Sequence, residues 1–361
     1  MKVYFTCIGV LLSYNLSLPK MLSTLGVEVY IDAEVNLTKY FLFREKLLRR
    51  FKPKLCFLSM FSKFLSTNSL AKRLKNFDIL HVNAISDYTK KVLRLGSGAK
   101  ILVLHTAPLP EELYSEIGDY VDVFVAPSNF TLKCEKLKMR KYTNKPMVVI
   151  HHGIDTSFFN TSISVEEARK KLGLPANRKV VLWNDRISPE KDLKTFLKAI
   201  PLIAREVPDT LFYIKGRALV RNYYNQIKKD LRDITKRYKV KVHIGWIPQE
   251  KLPLLYRAAD VFVRTSLHEN FGLGYIEAMA CGVPVVASDI ETAKEVVNDV
   301  GLLYKSKDPY DLAEKVVQVL TDKDLKEKLT LRGIRRVKEH FTSDIMAKQY
   351  LQLYISLIGC K

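Results

Sequence analysis

The chain has 361 residues, 47% of them hydrophobic and 27% charged, and carries a formal net charge of +21. That length exceeds what one hydrophobic core usually fills, so two domains are expected, and the composition points to a globular protein and away from disordered and membrane-spanning classes. Five scattered cysteines with no Cys-x-x-Cys pair point to a reducing compartment and away from a disulfide framework or structural zinc, while the basic excess attracts anions such as acidic lipid, nucleic acid or phosphorylated substrates.

Lys2 and the apolar run after it have a signal-peptide-like composition, but no Ala-x-Ala-like cleavage site follows. The run leads straight into another strand-like segment, so it reads as a first buried strand, Val3–Val10. Further apolar runs follow at Val27–Ile31, Ile79–Val82, Ile101–His105, Val121–Ala126 and Met147–Ile150. Between the second and third, residues 39–75 hold eleven Lys or Arg against a single Glu45, interleaved with six phenylalanines. A basic, aromatic-rich stretch of this kind is expected to lie on an anionic membrane surface, although the same phenylalanines would equally serve a core. Ser164-Val-Glu-Glu167 is a capping box opening a helix that stops at Gly173. The alternation then resumes with Val180–Trp183, Thr210–Ile214, Val240–Ile244, Val261–Arg264, Val285–Ala287 and Gly301–Tyr304, and the chain closes on an amphipathic helix from Thr342 to Ile358. Buried strands alternating with helices predict parallel sheets, and two such series predict two doubly wound α/β domains, 1–155 and 156–340, with 341–361 as a closing helix.

The densest chemistry lies at Glu269-Asn-Phe-Gly-Leu-Gly-Tyr-Ile-Glu277. A strand precedes it, a glycine-containing turn sits in its middle, and helix formers follow Gly272. The first turn of a helix presents N–H groups without intrahelical partners, which makes an anion site. Two carboxylates beside such a site make sense as clamps for hydroxyl groups on either side of a phosphate. If the segment were wholly helical, its eight-residue spacing would span roughly 12 Å.

These residues resemble the GT-B-fold glycosyltransferases of family 4, retaining enzymes that use nucleotide-sugar donors. The resemblance rests on Glu269 through Glu277 with its continuation Ala278 to Asp289, on Asp185-Arg186-Ile-Ser-Pro-Glu-Lys191, on His152-Gly153-Ile-Asp155, and on Phe341-Thr-Ser-Asp344 with Tyr350. It is strong over 147–356 and weaker before. It implies two Rossmann-like domains facing across a cleft, with the last helix crossing back to the N-terminal domain. It implies that Arg186 and Lys191 neutralise the donor diphosphate, that Phe271, Gly272 and Leu273 cradle it, and that Glu269 holds the transferred sugar. Glu277 would take the ribose hydroxyls, Gly216 and Ile247 would flank the base, and His105 would face the sugar from the N-terminal side. Two departures stand out: Asp185 replaces the usual Gly before the Arg, and the Gly-Gly loop after the first strand is reduced to Gly9. Gly9 is nonetheless expected to approach the donor phosphate.

The resemblance implies hexose transfer from a nucleotide diphosphate sugar to a glycan or lipid-linked acceptor, with retention, without cofactor or metal, in the cytoplasm or at the inner face of a membrane. Nucleic acid is not the expected partner. Three alternatives remain open: a nucleotide-sugar epimerase, a glycogen- or starch-synthase-like enzyme, and a non-catalytic polyanion-binding protein on the same fold.

Overall fold

The structure, a computed structural model, describes residues 1–8, 12–34, 55–57, 66–105 and 109–359. It separates into two compact units, Met1–Asp155 together with Phe341–Lys361, and Thr156–His340. Most of the basic stretch 39–75, and Gly9, lie outside the described residues.

The first unit is a parallel sheet of β1 (Lys2–Ile8), β2 (Glu28–Glu34), β3 (Leu55–Phe57), β4 (Ile79–Val82), β5 (Ala99–Val103), β6 (Val123–Ala126) and β7 (Met147–Val149). Their order across the sheet is β3-β2-β1-β4-β5-β6-β7. β4 and β6 are buried at every position, as expected for parallel strands covered on both faces, which is why they read as unbroken apolar runs. β3 was not expected; it is three residues long and falls inside the basic run, where no apolar period marks it.

One face of this sheet is covered by the helix Leu12–Thr24 and by the last helix of the chain, Ser343–Gly359. Met346, Ala347, Tyr350 and Tyr354 of that last helix fall on one side at three- and four-residue spacing and are buried against Val3, Phe5, Leu18 and Leu22. Burying Met346 alone stabilises this packing by about 2 kcal/mol. The chain leaves and re-enters the unit at one place: Ile154 N–H donates to the Phe341 carbonyl at 2.9 Å, and Ser343 N–H to the Ile154 carbonyl at 2.8 Å. Gly153 is required there, because a Cβ would lie 2.2 Å from the Thr342 carbonyl oxygen.

The second unit holds β8 (Val180–Asn184), β9 (Leu211–Lys215), β10 (Lys241–Gly245), β11 (Val261–Arg264), β12 (Val285–Ser288) and β13 (Leu302–Tyr304), all parallel, in the order β10-β9-β8-β11-β12-β13. Ser164 caps the helix Val165–Leu172 by accepting from Glu167 N–H, and Gly173 ends it in the left-handed conformation at φ 65°. In both sheets the strand order reverses once, between β1 and β4 and between β8 and β11. Loops diverge at such a reversal and leave a crevice at the carboxyl ends of the strands, where doubly wound sheets place their ligands.

Candidate active site

The reversal in the second unit brings together the segment after β8 and the segment after β11. Lys191 ends a short 3-10 turn, Pro189–Lys191, and Asp192 follows in the left-handed region at φ 42°, capping the helix Leu193–Glu206 by accepting from Thr195 N–H. Thr265 Oγ1 donates to the Lys191 carbonyl at 2.7 Å, and Leu267 N–H to the Glu190 carbonyl at 2.9 Å, stitching the two segments together.

At the join sits a buried ionic quartet. Lys191 Nζ donates to Glu269 Oε1 at 2.7 Å and lies 3.4 Å from Asp185 Oδ2. Arg264, the last residue of β11, donates to the same Glu269 oxygen from Nε at 2.9 Å and Nη2 at 2.6 Å, and its Nη2 stands 2.7 Å from Asp185 Oδ2. Ser266 Oγ adds a further bond to Oε1 at 2.7 Å. Burial alone would raise the Glu269 carboxyl, but Arg264 and Lys191 outweigh it and hold the group at about 2. Burial opposes the charge on Arg264, and Asp185 and Glu269 overcome it and push its ionisation upward. Glu269 is therefore a carboxylate at any working pH.

Glu277 is the opposite case. It lies on the helix Leu273–Ala280, it is buried, and burial raises its carboxyl against the opposing pull of Tyr256, Arg264 and Lys215. Tyr256 OH donates to Glu277 Oε2 at 3.0 Å and accepts from Asn184 Nδ2 at 2.8 Å, while Arg264 Nη1 donates to the Asn184 carbonyl at 3.1 Å. Asn184, at the end of β8, thus anchors both carboxylates. Glu269 precedes the helix, so the two do not ride on one continuous helix.

Gly272 caps that helix without a side-chain cap, at φ 85°, and a Cβ there would meet the Tyr275 ring at 2.4 Å. Only glycine gives this turn. Phe271 is buried and Leu273 half-buried beside it. Gly216 follows β9, and a Cβ there would lie 2.5 Å from the Asp185 carbonyl oxygen, so the strand end presses against the quartet's loop. Lys215 beside it is half-buried, and burial lowers its pKa against the pull of Glu277 and Asp185. Arg186 stands apart: its side chain is 58% exposed and its nearest carboxylate, Glu190, is 3.9 Å away. Ile247, beyond β10, is half-buried, and Trp246 next to it is exposed. Arg264, Asn184 and Tyr256 are members of this site that sequence reasoning missed. The available signal was an arginine ending an otherwise apolar run, Val261-Phe-Val-Arg264.

In the first unit, His105 follows β5 and joins a neutral chain of side chains. Asn83 Nδ2 donates to the Thr6 carbonyl at 2.7 Å, which fixes the amide so that Oδ1 faces His81 Nε2 at 3.2 Å and His105 Nε2 at 3.0 Å. An amide oxygen only accepts, so both histidines carry their proton on Nε2. His81 Nδ1 then accepts from Tyr354 OH at 2.6 Å, and His105 Nδ1 from His152 Nε2 at 3.3 Å. Burial holds His81 and His105 down to about 3, and lowers His152 as well. His105 keeps part of its surface open, whereas His81 is fully enclosed. Among the described residues no group of three or more His, Cys, Asp or Glu is arranged to hold a metal ion.

Residues 164–336 match the family described as Glycosyl transferases group 1. That match spans most of the second unit, Thr156–His340. Over 245 residues the chain is 30% identical to an uncharacterised glycosyltransferase of Methanocaldococcus jannaschii, covering 66% of this chain and 61% of that protein. It is 33% identical over 158 residues to O-antigen chain mannosyltransferase B of Escherichia coli, covering 44% of this chain and 41% of that one. The chain thus spans less than two thirds of the length of either relative. A glycosyltransferase structure from Rickettsia africae ESF-5 superposes with a TM-score of 0.81 at 20% identity, covering 99% of this chain and 98% of that one. That likeness shows the fold, GT-B, with two doubly wound Rossmann-like domains.

Proposed function

We propose that this protein is a retaining glycosyltransferase that moves a hexose-type sugar from a nucleotide diphosphate sugar to a glycan or lipid-linked acceptor. The observation that carries this reading is the permanently ionised Glu269, fixed by Lys191 and Arg264 immediately before the glycine-capped helix start. A fixed carboxylate grips sugar hydroxyls, and the helix start with Lys191 and exposed Arg186 receives a diphosphate. As the bond from the anomeric carbon to the phosphate oxygen breaks, negative charge grows on the leaving diphosphate. Preorganised cations stabilise that charge without reorganisation, so metal is not required. The acceptor hydroxyl attacks the same face and passes its proton to the departing phosphate. The E. coli relative is named for mannose transfer to an O-antigen chain, which makes a mannosyl donor and a glycan acceptor the leading pair.

A thermal-shift screen against GDP-mannose and UDP-, ADP- and dTDP-sugars tests the donor. A ligand at about a hundred times its Kd adds about 2.7 kcal/mol of apparent stability. Stabilisation by none of them would overturn the reading. Retention is checked by the anomeric configuration of the product, and metal independence by transfer in the presence of EDTA. The basic run 39–75 is proposed to hold the protein at the cytoplasmic face of an anionic membrane; failure to float with acidic liposomes at low salt removes that part.

A further inference from the structure

The quartet contains two cations and two anions, and its charge balance has a consequence for the donor. Lys191 faces both Glu269 and Asp185, at 2.7 and 3.4 Å, and by itself balances one of the two. Without a second cation the cluster would carry a net negative charge exactly where a diphosphate has to arrive.

Arg264 has a seat made for it. Its guanidinium reaches Glu269, Asp185 and the Asn184 carbonyl, stands 5.7 Å from the Tyr275 ring centroid, and occupies space that any residue but glycine at 274 would contest. A Cβ on Gly274 would lie 2.8 Å from Arg264 Nη1. Asp185, which stands where the resembled family has glycine, finds its counter-charge in the same guanidinium.

We infer that Arg264 is a positioning residue for the donor site. It balances Asp185 and Glu269 so that the Lys191 charge remains available to a diphosphate, and its fork fixes the Glu269 carboxylate. Asp185 and Arg264 form a matched pair, each tolerable in the buried site only because of the other. This rests on the donor-site reading above.

The test is calorimetric titration of the full-length protein and its variants with GDP and UDP, alongside steady-state kinetics. Arg264→Met leaves net negative charge and should weaken binding by about ten-fold or more, while Asp185→Asn, which leaves net positive charge, should bind as tightly as the native protein or tighter. The double variant Asp185→Asn with Arg264→Met is neutral again and should return to within about three-fold of native affinity, a non-additivity that contacting groups show and independent ones do not. Arg264→Lys keeps the charge and loses the fork, so affinity should persist while kcat falls. A role confined to folding would shift unfolding temperatures without this order of affinities. Should Arg264→Met fail to fold, Asp185→Asn decides: binding ten-fold weaker than native overturns the inference. Native binding with the order broken, or a double variant no better than Arg264→Met, sinks this inference alone. A native protein that binds neither nucleotide sinks the donor reading with it.

Discussion

The two sheets reverse their strand order at equivalent places, yet the two crevices have opposite electrostatics. In the second unit the reversal holds Lys191, Arg264, Asp185 and Glu269, all charged and all compensated. In the first it holds Tyr354, His81, Asn83, His105 and His152, joined by hydrogen bonds and kept neutral by burial. Topology fixes where a ligand site forms; a handful of residues then decide whether that site offers fixed charge or fixed hydrogen-bond direction. Fixed charge is what a diphosphate requires, and fixed hydrogen-bond direction is what uncharged hydroxyl groups require.

The comparison breaks most readily with acid. His81 titrates near 3 in the folded protein against about 6.5 unfolded. Below about 6.5 the unfolded chain takes up a proton that the folded one refuses, so stability falls with pH down to about 3, by about 1.4 kcal/mol per pH unit for each such histidine. Glu269 acts in the same direction but in a lower window: its stabilisation is present above its unfolded value near 4.5 and is lost as pH falls towards about 2. Between pH 6.5 and 4.5 the first unit alone should weaken, by about 3 kcal/mol through His81 and further through His152, which burial lowers in the same direction. Calorimetry should then show one transition moving down while the other holds or rises, because the raised Glu277 carboxyl takes up its proton in the folded state first; two transitions moving down in step would contradict the contrast.

Glu269→Gln keeps the shape and removes the charge. It should cost transfer about a hundred-fold in kcat/KM, the scale of losing one preorganised electrostatic group, with the fold intact by circular dichroism. Gly274→Ala should displace the Arg264 guanidinium and lower kcat/KM by about ten-fold, read in the same assay. The smallest effect belongs to the other crevice: Tyr354→Phe leaves His81 Nδ1 without its donor, costing about 1–2 kcal/mol in the first unit's melting and leaving nucleotide binding unchanged.

Much of this was legible in the sequence, and the failures have physical reasons. Strands buried on both faces are continuous apolar runs, so β4, β6, β8 and β11 can be read within about two residues, as can the capped helix at Ser164. Glu269 and Gly272 announce themselves by spacing around a turn, and Lys191 by the motif that resembles the family. Arg264, Asn184 and Tyr256 do not, because their roles come from strands that are neighbours in the sheet and distant in the chain. His81 hides in the same way: a histidine inside Ile79–Val82 is a polar interruption whose partner, Tyr354, lies 273 residues away.

The placement of the last helix has a consequence for how the protein is made. The core of the first unit takes Met346, Ala347, Tyr350 and Tyr354 from the end of the chain. That unit starts to leave the ribosome before the second and is completed after it. The second unit is one uninterrupted stretch, Thr156–His340, and can close as soon as it emerges. Assembly therefore runs against the order of synthesis, and until the last helix is made the half-built N-terminal sheet has only Leu12–Thr24 to cover that apolar face. A nascent chain stalled just before Phe341 should expose that face to chaperones, and one released past Gly359 should not.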